Sequence, residues 1–168
     1  NFRFACELAR NGRIGKLQMV KVGLPGDPSN GRPPEMPVPP NLNYDFWLGP
    51  APLAPYTEER VHPQADYSRP GWLRVYDYCH GMITGWGTHH NDIAQWALGT
   101  ELTGPVEIDG QAVFPKDSLW DVHSDDFKIE YTYADGRKLI TAGQKYNRAG
   151  VTLVGTDGEI WVDRGKLE

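Results

Sequence analysis

Two adjacent histidines and a carboxylate follow a pair of glycines in the segment 85–92, GWGTHHND. Imidazole and carboxylate groups can transfer protons, bind a metal ion or bind the hydroxyl groups of a substrate. If the segment is helical, His89 and Asp92 are three residues apart on one face, whereas His90 points about a quarter-turn away. The two glycines would let a ligand approach the backbone closely.

The residues alone leave three interpretations of this segment open. His89 and Asp92 could bind zinc together with His80 or His62, although the spacing fixes no third ligand. His89 could instead be a general acid or base, with Asp92 orienting the substrate. In the third interpretation the segment is only a capped helix end, in which Asp92 favours the helix dipole and the histidines face water.

A helix over 88–98 is expected to position these side chains. Thr88 is a suitable N-cap and Gly99 a suitable stop, and the predicted buried stripe consists of Ile93, Trp96 and Ala97. If the helix begins at Thr88, its free amides and partial positive charge lie beside His89, where they would favour an anionic or developing oxyanionic group.

The remaining elements predict an α+β domain. A helix over 2–11 precedes a strand over 16–24, and Cys6 lies on the apolar face of that helix as a core residue. The segment 127–133 alternates as a strand, and Asp-Gly pairs at 135–136 and 157–158 predict two tight hairpins. We therefore expect an open, mostly antiparallel sheet that is covered by helices on one face. An antiparallel meander should form the last part of the chain.

A proline-rich stretch at about 25–70 is predicted to be an ordered surface loop rather than a helix or central strand. Its aromatic side chains are expensive to leave solvated and should pack on the domain: Tyr44, Phe46, Trp47 and Tyr56. Long ordered loops often form binding walls, so Tyr56, Arg60 and His62, together with His90, are candidate substrate contacts. Alternatively, the loop only covers a sheet edge, and Arg60 and His62 anchor it.

Composition excludes several classes of protein. The chain has 168 residues, enough for one domain, and 17 basic against 22 acidic residues give a net charge of −5. No basic block indicates nucleic-acid binding, and no apolar run approaches the roughly 20 residues of a membrane span. The sequence contains no GxGxxG, P-loop or CxxC motif. It starts at Asn1 without an initiator methionine or signal peptide pattern, so we expect a piece of a longer protein.

Four segments in order resemble one family of enzymes. They are FRFACELARNGRIGKL, NYDFWLGPAP with PYTEERVHP, GWGTHHNDIAQWALG and GVTLVGTDGEIWVDRGKL, which together run from about residue 2 to 167. This combination resembles the C-terminal domain of the glucose–fructose oxidoreductase / inositol dehydrogenase / MocA (Gfo/Idh/MocA) family.

The resemblance implies a fold, a cofactor and a reaction. Members pair an N-terminal Rossmann domain, which binds NAD or NADP, with an α+β domain built on a large open sheet, and they transfer hydride to or from sugars, polyols and related cyclic alcohols. The whole chain, 1–168, would then be a truncated substrate-binding and oligomerisation domain without its Rossmann partner. We expect homo-oligomers through the sheet, a carbohydrate or polyol substrate, no nucleic-acid or membrane partner, no resident metal and no cofactor on this chain alone.

The resemblance also assigns site residues. The family's Asp-x-Gly-x-His motif falls on 85–89, so His89 matches the catalytic histidine, Gly87 the glycine, and Asp92 the aspartate that follows. Gly85 stands where the motif has its aspartate, and Asp77 is the nearest replacement in sequence. This departure leaves two alternatives open, namely a carbohydrate-binding or scaffold domain with altered chemistry, and an NAD-dependent relative that cleaves glycosides. The sequence assigns neither the substrate nor a cytoplasmic or periplasmic location.

Overall fold

One sheet and three helices make up the fold in a computed structural model that describes residues 1–62 and 70–168. The helices are α1 (Phe2–Arg10), α2 (Tyr44–Leu48) and α3 (Gly81–Leu98), and a 3₁₀ turn spans Gly71–Arg74. The strands are β1 (Leu17–Leu24), β2 (Glu107–Ala112), β3 (Phe127–Thr132), β4 (Lys138–Gly143), β5 (Gly150–Gly155), β6 (Glu159–Asp163) and β7 (Lys166–Leu167). The α+β prediction is confirmed.

The order of the strands is β2-β3-β4-β1-β5-β6-β7. All neighbours are antiparallel except β1 and β4, which pair in parallel. Both predicted hairpins are present, joining β3 to β4 and β5 to β6. The predicted meander is wrong, however, because β1 is inserted between β4 and β5.

Alternating side chains from the strands build the core against α1 and α3. From β1 the buried residues Val20 and Val22 face this helix layer, and in β5 Val151 and Leu153 do the same. Cys6 in α1 is fully buried in the same cluster, as predicted, and the burial raises the pKa of its thiol to about 11. The helices therefore cover one face of the sheet, and the opposite face is open.

The proline-rich loop contains a short helix that the sequence analysis missed. Asn43 caps α2, because its side-chain Oδ1 accepts a hydrogen bond from the Phe46 amide at 3.1 Å. Tyr56 is buried as expected, but Phe46 is 83% exposed, contrary to the prediction that it packs on the domain. Within the described residues, no helix is both long and apolar enough to cross a membrane.

Candidate functional site

The polar residues of interest occupy one exposed stripe of α3. Thr84, Thr88 and Asp92 follow each other at four-residue spacing, and His89 lies beside them; all four are exposed. Gly85 is half-buried and lies one turn before His89 on the same side. His89 and Asp92 thus face outward together, as the helical spacing predicted.

The helix begins seven residues earlier than predicted, at Gly81. Thr88 is therefore not an N-cap; its hydroxyl donates to the Thr84 carbonyl within the helix. Since about two turns of helix separate Gly81 from His89, the amides and partial positive charge of the helix terminus do not lie at the histidine. The expectation of an oxyanion site there is wrong.

Two buried residues from distant segments fix the start of α3. The carboxylate of Asp27 accepts the Met82 amide at 2.8 Å, and Nε2 of His123 accepts the Ile83 amide at 3.2 Å. Because an amide only donates, the His123 proton is on Nδ1, which donates to the Ser124 carbonyl at 2.9 Å. Gly81 has φ +67, and a Cβ there would lie 2.5 Å from the Asp27 carboxylate, so a side chain would displace the cap.

A buried ion pair holds Asp27 in place. Arg74 Nε lies 3.3 Å from Asp27 Oδ1, and the side chains are 12% and 1% exposed. The Arg74 guanidinium also lies 4.5 Å from the ring centroid of Trp120. No local sequence pattern predicts a role for Asp27, Arg74 and His123, because only their contacts across the fold indicate it.

His90 is buried beneath the exposed stripe. Its Nδ1 donates to the Trp86 carbonyl at 3.2 Å, and its Nε2 lies 3.7 Å from Asp163 Oδ1. The ring packs edge-on against Phe2, with centroids 6.0 Å apart. Burial lowers the pKa of His90, outweighing the opposing effects of the Trp86 carbonyl and the Asp163 carboxylate. Its predicted role as a substrate contact stays a prediction.

Trp86 supports His89 from the preceding turn. The two rings meet edge-to-face with centroids 5.8 Å apart, and the Arg164 guanidinium lies 4.4 Å from the Trp86 ring centroid. Arg164 comes from the turn between β6 and β7, so the hairpin at this end of the sheet contacts the helix at Trp86, the residue on which the His89 ring packs. This packing restricts the orientation of an otherwise exposed imidazole.

The loop candidates form a second cluster. Tyr44 packs on Trp47 and Tyr56, with centroids 5.7 and 5.5 Å apart, and Trp47 packs on Tyr78 at 5.1 Å. Arg60 donates to the Pro55 carbonyl and the Tyr78 hydroxyl, both at 3.1 Å. Arg60 therefore anchors the loop, as the alternative interpretation expected; its contact with a substrate stays a prediction.

The remaining candidates lie before α3. His62 is half-buried and Asp77 is exposed, four residues before the helix begins. In the described ranges, no three His, Cys, Asp or Glu side chains are grouped closely enough to hold a metal ion. The zinc interpretation thus gains no third ligand from residues 1–62 and 70–168.

One known protein family matches most of the chain. The profile described as "Oxidoreductase family, C-terminal alpha/beta domain" of Gfo/Idh/MocA proteins matches residues 29–165. The chain belongs to the Gfo/Idh/MocA oxidoreductase family. The match includes α3 and all strands except β1 and β7, so it covers the candidate site. No curated protein matches the chain by sequence.

Solved structures of similar fold are larger proteins. GenD2 from gentamicin A biosynthesis, in complex with NAD, is 18% identical; the match covers 96% of this chain and 36% of GenD2, with a TM-score of 0.55. The WlbA dehydrogenase from Bordetella pertussis, in complex with NADH and UDP-GlcNAcA, is 11% identical over 99% of this chain and 41% of that protein, with a TM-score of 0.53. An NAD-binding protein from Listeria innocua is 16% identical; the match covers 96% of this chain and 34% of that protein, with a TM-score of 0.52. The chain thus spans about two fifths or less of their length.

Proposed function

We propose that this Gfo/Idh/MocA chain is the substrate-binding domain of an NAD- or NADP-dependent oxidoreductase. Its substrate would be a sugar, a polyol or a related cyclic alcohol. The observation that carries the proposal is the joint exposure of His89 and Asp92 on α3 in a chain of this family. The cofactors and the sugar ligand named for GenD2 and WlbA support the same class of reaction.

In this proposal His89 moves the proton and Asp92 positions the substrate. An exposed imidazole can accept the proton of a substrate hydroxyl while that carbon is oxidised. Asp92, one turn further along α3, would accept a hydrogen bond from a neighbouring hydroxyl. The nicotinamide, held by a dinucleotide-binding domain, would exchange the hydride. Trp86 and Arg164 would keep the His89 ring oriented.

Gly85 supports a second candidate function. A carboxylate at this position would lie one turn from His89, but glycine supplies none, and Asp77 lies outside the helix. A domain with this substitution would bind carbohydrate without turnover, or would belong to an enzyme that cleaves glycosides through transient oxidation. Asp77 would be the group that assists His89 if turnover is retained.

The remaining proposals concern the residues around the sugar site and the surface that would contact a second copy of the chain. Tyr56, Arg60, His62 and His90 would line or support the sugar site, with Arg60 and Tyr56 acting through the aromatic loop cluster. The open face of the sheet, where Arg148 lies 3.3 Å from the Trp161 ring centroid, would pack against a second copy in a homo-oligomer. A Rossmann domain would supply the surface opposite His89.

The test is hydride transfer by the chain joined to its dinucleotide-binding domain. We expect NADH or NADPH to accumulate with at least one member of a panel of sugars, uronic acids and inositols. Binding of a sugar without any reduced cofactor or product would support the scaffold alternative, and release of a glycoside aglycone would support the cleavage alternative. The 168-residue chain alone should not bind NADH. A micromolar dissociation constant by fluorescence titration would contradict the proposal that a separate domain binds the cofactor.

A further inference from the structure

The edge strand β2 combines unpaired backbone with exposed apolar side chains. It is the terminal strand of the sheet, and its residues from Glu107 to Gln111 are all exposed. Val106 is 69%, Ile108 61% and Phe114 54% exposed. Val113 is also 53% exposed. Four large apolar residues at one edge are unusual, since edge strands are commonly protected by charge, proline or short length.

The register identifies which backbone groups are free. Val113 donates to the Asp126 carbonyl at 2.8 Å, which continues the β2–β3 register. In an antiparallel pair, alternate residues bond to the neighbouring strand, so the odd-numbered residues of β2 bond to β3. The N–H and C=O groups of Ile108, Gly110 and Ala112 therefore point outward at the edge, where no other strand of the described residues pairs with them.

Within β2, the apolar side chains belong to the same even-numbered residues, Ile108 and Ala112. Gly110 is opposite Ile129 and Ile108 is opposite Tyr131, and these β3 residues pack against the core on the helix-covered side. α1 and α3 pack on β1, β4, β5 and β6. The β2 end of this face is thus an apolar surface next to a free strand edge; it comprises Ile108, Gly110, Ala112 and Phe114.

This pattern is self-complementary about Gly110. If two copies pair antiparallel with Gly110 opposite Gly110, Ile108 meets Ala112 of the second copy in both halves of the interface. On the other face, Asp109 then lies opposite Gln111, and Glu107 opposite Val113, so no like charges meet. A register centred on Asp109 would instead place two carboxylates directly opposite each other, which is destabilising.

We propose that β2 is a homodimerisation edge, through which two copies of this chain join their sheets in the Gly110-centred register. The three outward-facing residues of each strand would form roughly six backbone hydrogen bonds across the interface. The two sheets would become one continuous sheet. This interface differs from packing of the open sheet face and is independent of the chemistry at His89.

A disulfide trap tests the register directly. Opposed residues that exchange hydrogen bonds have Cα atoms about 5.5 Å apart, within the range that a disulfide bridges. On a Cys79→Ser background, Gly110→Cys should form a covalent dimer under mild oxidation; a Cβ at Gly110 lies no closer than 3.4 Å to a neighbour. Gln111→Cys is the matched control, because in this register its two copies are more than about 7 Å apart.

Sedimentation velocity gives an independent measurement. Ile108→Lys should raise the dimer dissociation constant by about tenfold or more, because it removes an apolar contact from each copy and adds charge at the edge. Leu53→Lys, at a site that is 89% exposed, should not change it. Equal crosslinking of the Gly110 and Gln111 variants, or no effect of Ile108→Lys on association, would overturn the proposal, as would a chain that stays monomeric.

Discussion

The Asp27 carboxylate accepts a hydrogen bond from the Met82 amide at 2.8 Å, although the two residues are 55 positions apart in sequence. This contact joins the start of the proline-rich loop to the first turn of α3, the helix that carries His89. Asp27 is also paired with buried Arg74, so one carboxylate satisfies a helix terminus and neutralises a buried cation.

We predict that Asp27→Ala destabilises the chain by about 3–5 kcal/mol, because it leaves the Arg74 charge buried without its partner. Asp27→Asn should lose less stability, since its side-chain amide oxygen can still accept the hydrogen bond from the Met82 amide. Urea unfolding measures both. The control is Glu7→Ala, which breaks an exposed pair with Arg3 and should leave the free energy of unfolding almost unchanged. Equal effects of Asp27→Ala and Glu7→Ala would contradict this account of the helix start.

His90 should make the fold sensitive to acid. Burial lowers its pKa in the folded chain, whereas the unfolded chain has an ordinary value near 6.5. The unfolded state therefore binds the proton more readily, so stability should be constant above about pH 6.5 and should fall as the pH drops below it.

His90→Gln should remove that part of the pH dependence while keeping a donor for the Trp86 carbonyl. Asp163 and Arg164 are the charged groups that act on His90, and the variant retains both. The measurement is the urea midpoint at several pH values between about 4 and 8. A variant whose midpoints decline in parallel with the natural chain would show that His90 is not the responsible group.

The two cysteines should react in a fixed order. Burial raises the pKa of Cys6 to about 11 and hides its sulfur, whereas Cys79 is half-exposed. Because the thiolate is the reactive form, iodoacetamide at pH 8 should modify Cys79 first and Cys6 only after unfolding. Mass spectrometry with and without urea measures this, and Cys79→Ser should abolish the fast reaction. Rapid labelling of Cys6 in the folded chain would contradict the packing of α1.

Gly85→Asp should raise turnover in the enzyme that contains both domains. The added carboxylate would lie one turn before His89 on the same stripe of α3 and could assist its proton transfer. The new Cβ would meet only the flexible end of Met82, at 3.1 Å. Gly85→Asn is the matched control without charge. Equal rates for the two variants would exclude an electrostatic role for this position.

Local patterns predicted much of the fold but not its long-range arrangement. Alternation in β3 and the Asp-Gly pairs identified strands and hairpins, since both signals are contained in a few residues. The insertion of β1 between β4 and β5 depends on pairing across more than 100 positions, which no local pattern encodes. The edge strand β2 was missed for a different reason: only one of its alternate positions, Ile108, carries a large apolar side chain, so its alternation is weak.

In the candidate site, too, local patterns predicted some features, whereas others depend on contacts with distant residues. His89 and Asp92 were placed on one face because helical spacing does not depend on where the helix begins. The predicted start at Thr88 failed because the true cap, Asp27, is distant in sequence. His90 is buried because Phe2 and Asp163 surround it, and both come from other elements.

The most direct test of the central claim is the pH-dependent turnover of His89→Ala in the enzyme with both domains. We predict that kcat falls by about 10²–10⁴-fold, with the dependence on one titrating group lost and sugar binding retained. Thr88→Ala, its exposed neighbour on α3, should keep kcat and the pH profile. Unchanged kcat in His89→Ala, or an equal loss in Thr88→Ala, would contradict the assignment of His89 as the proton-transfer residue.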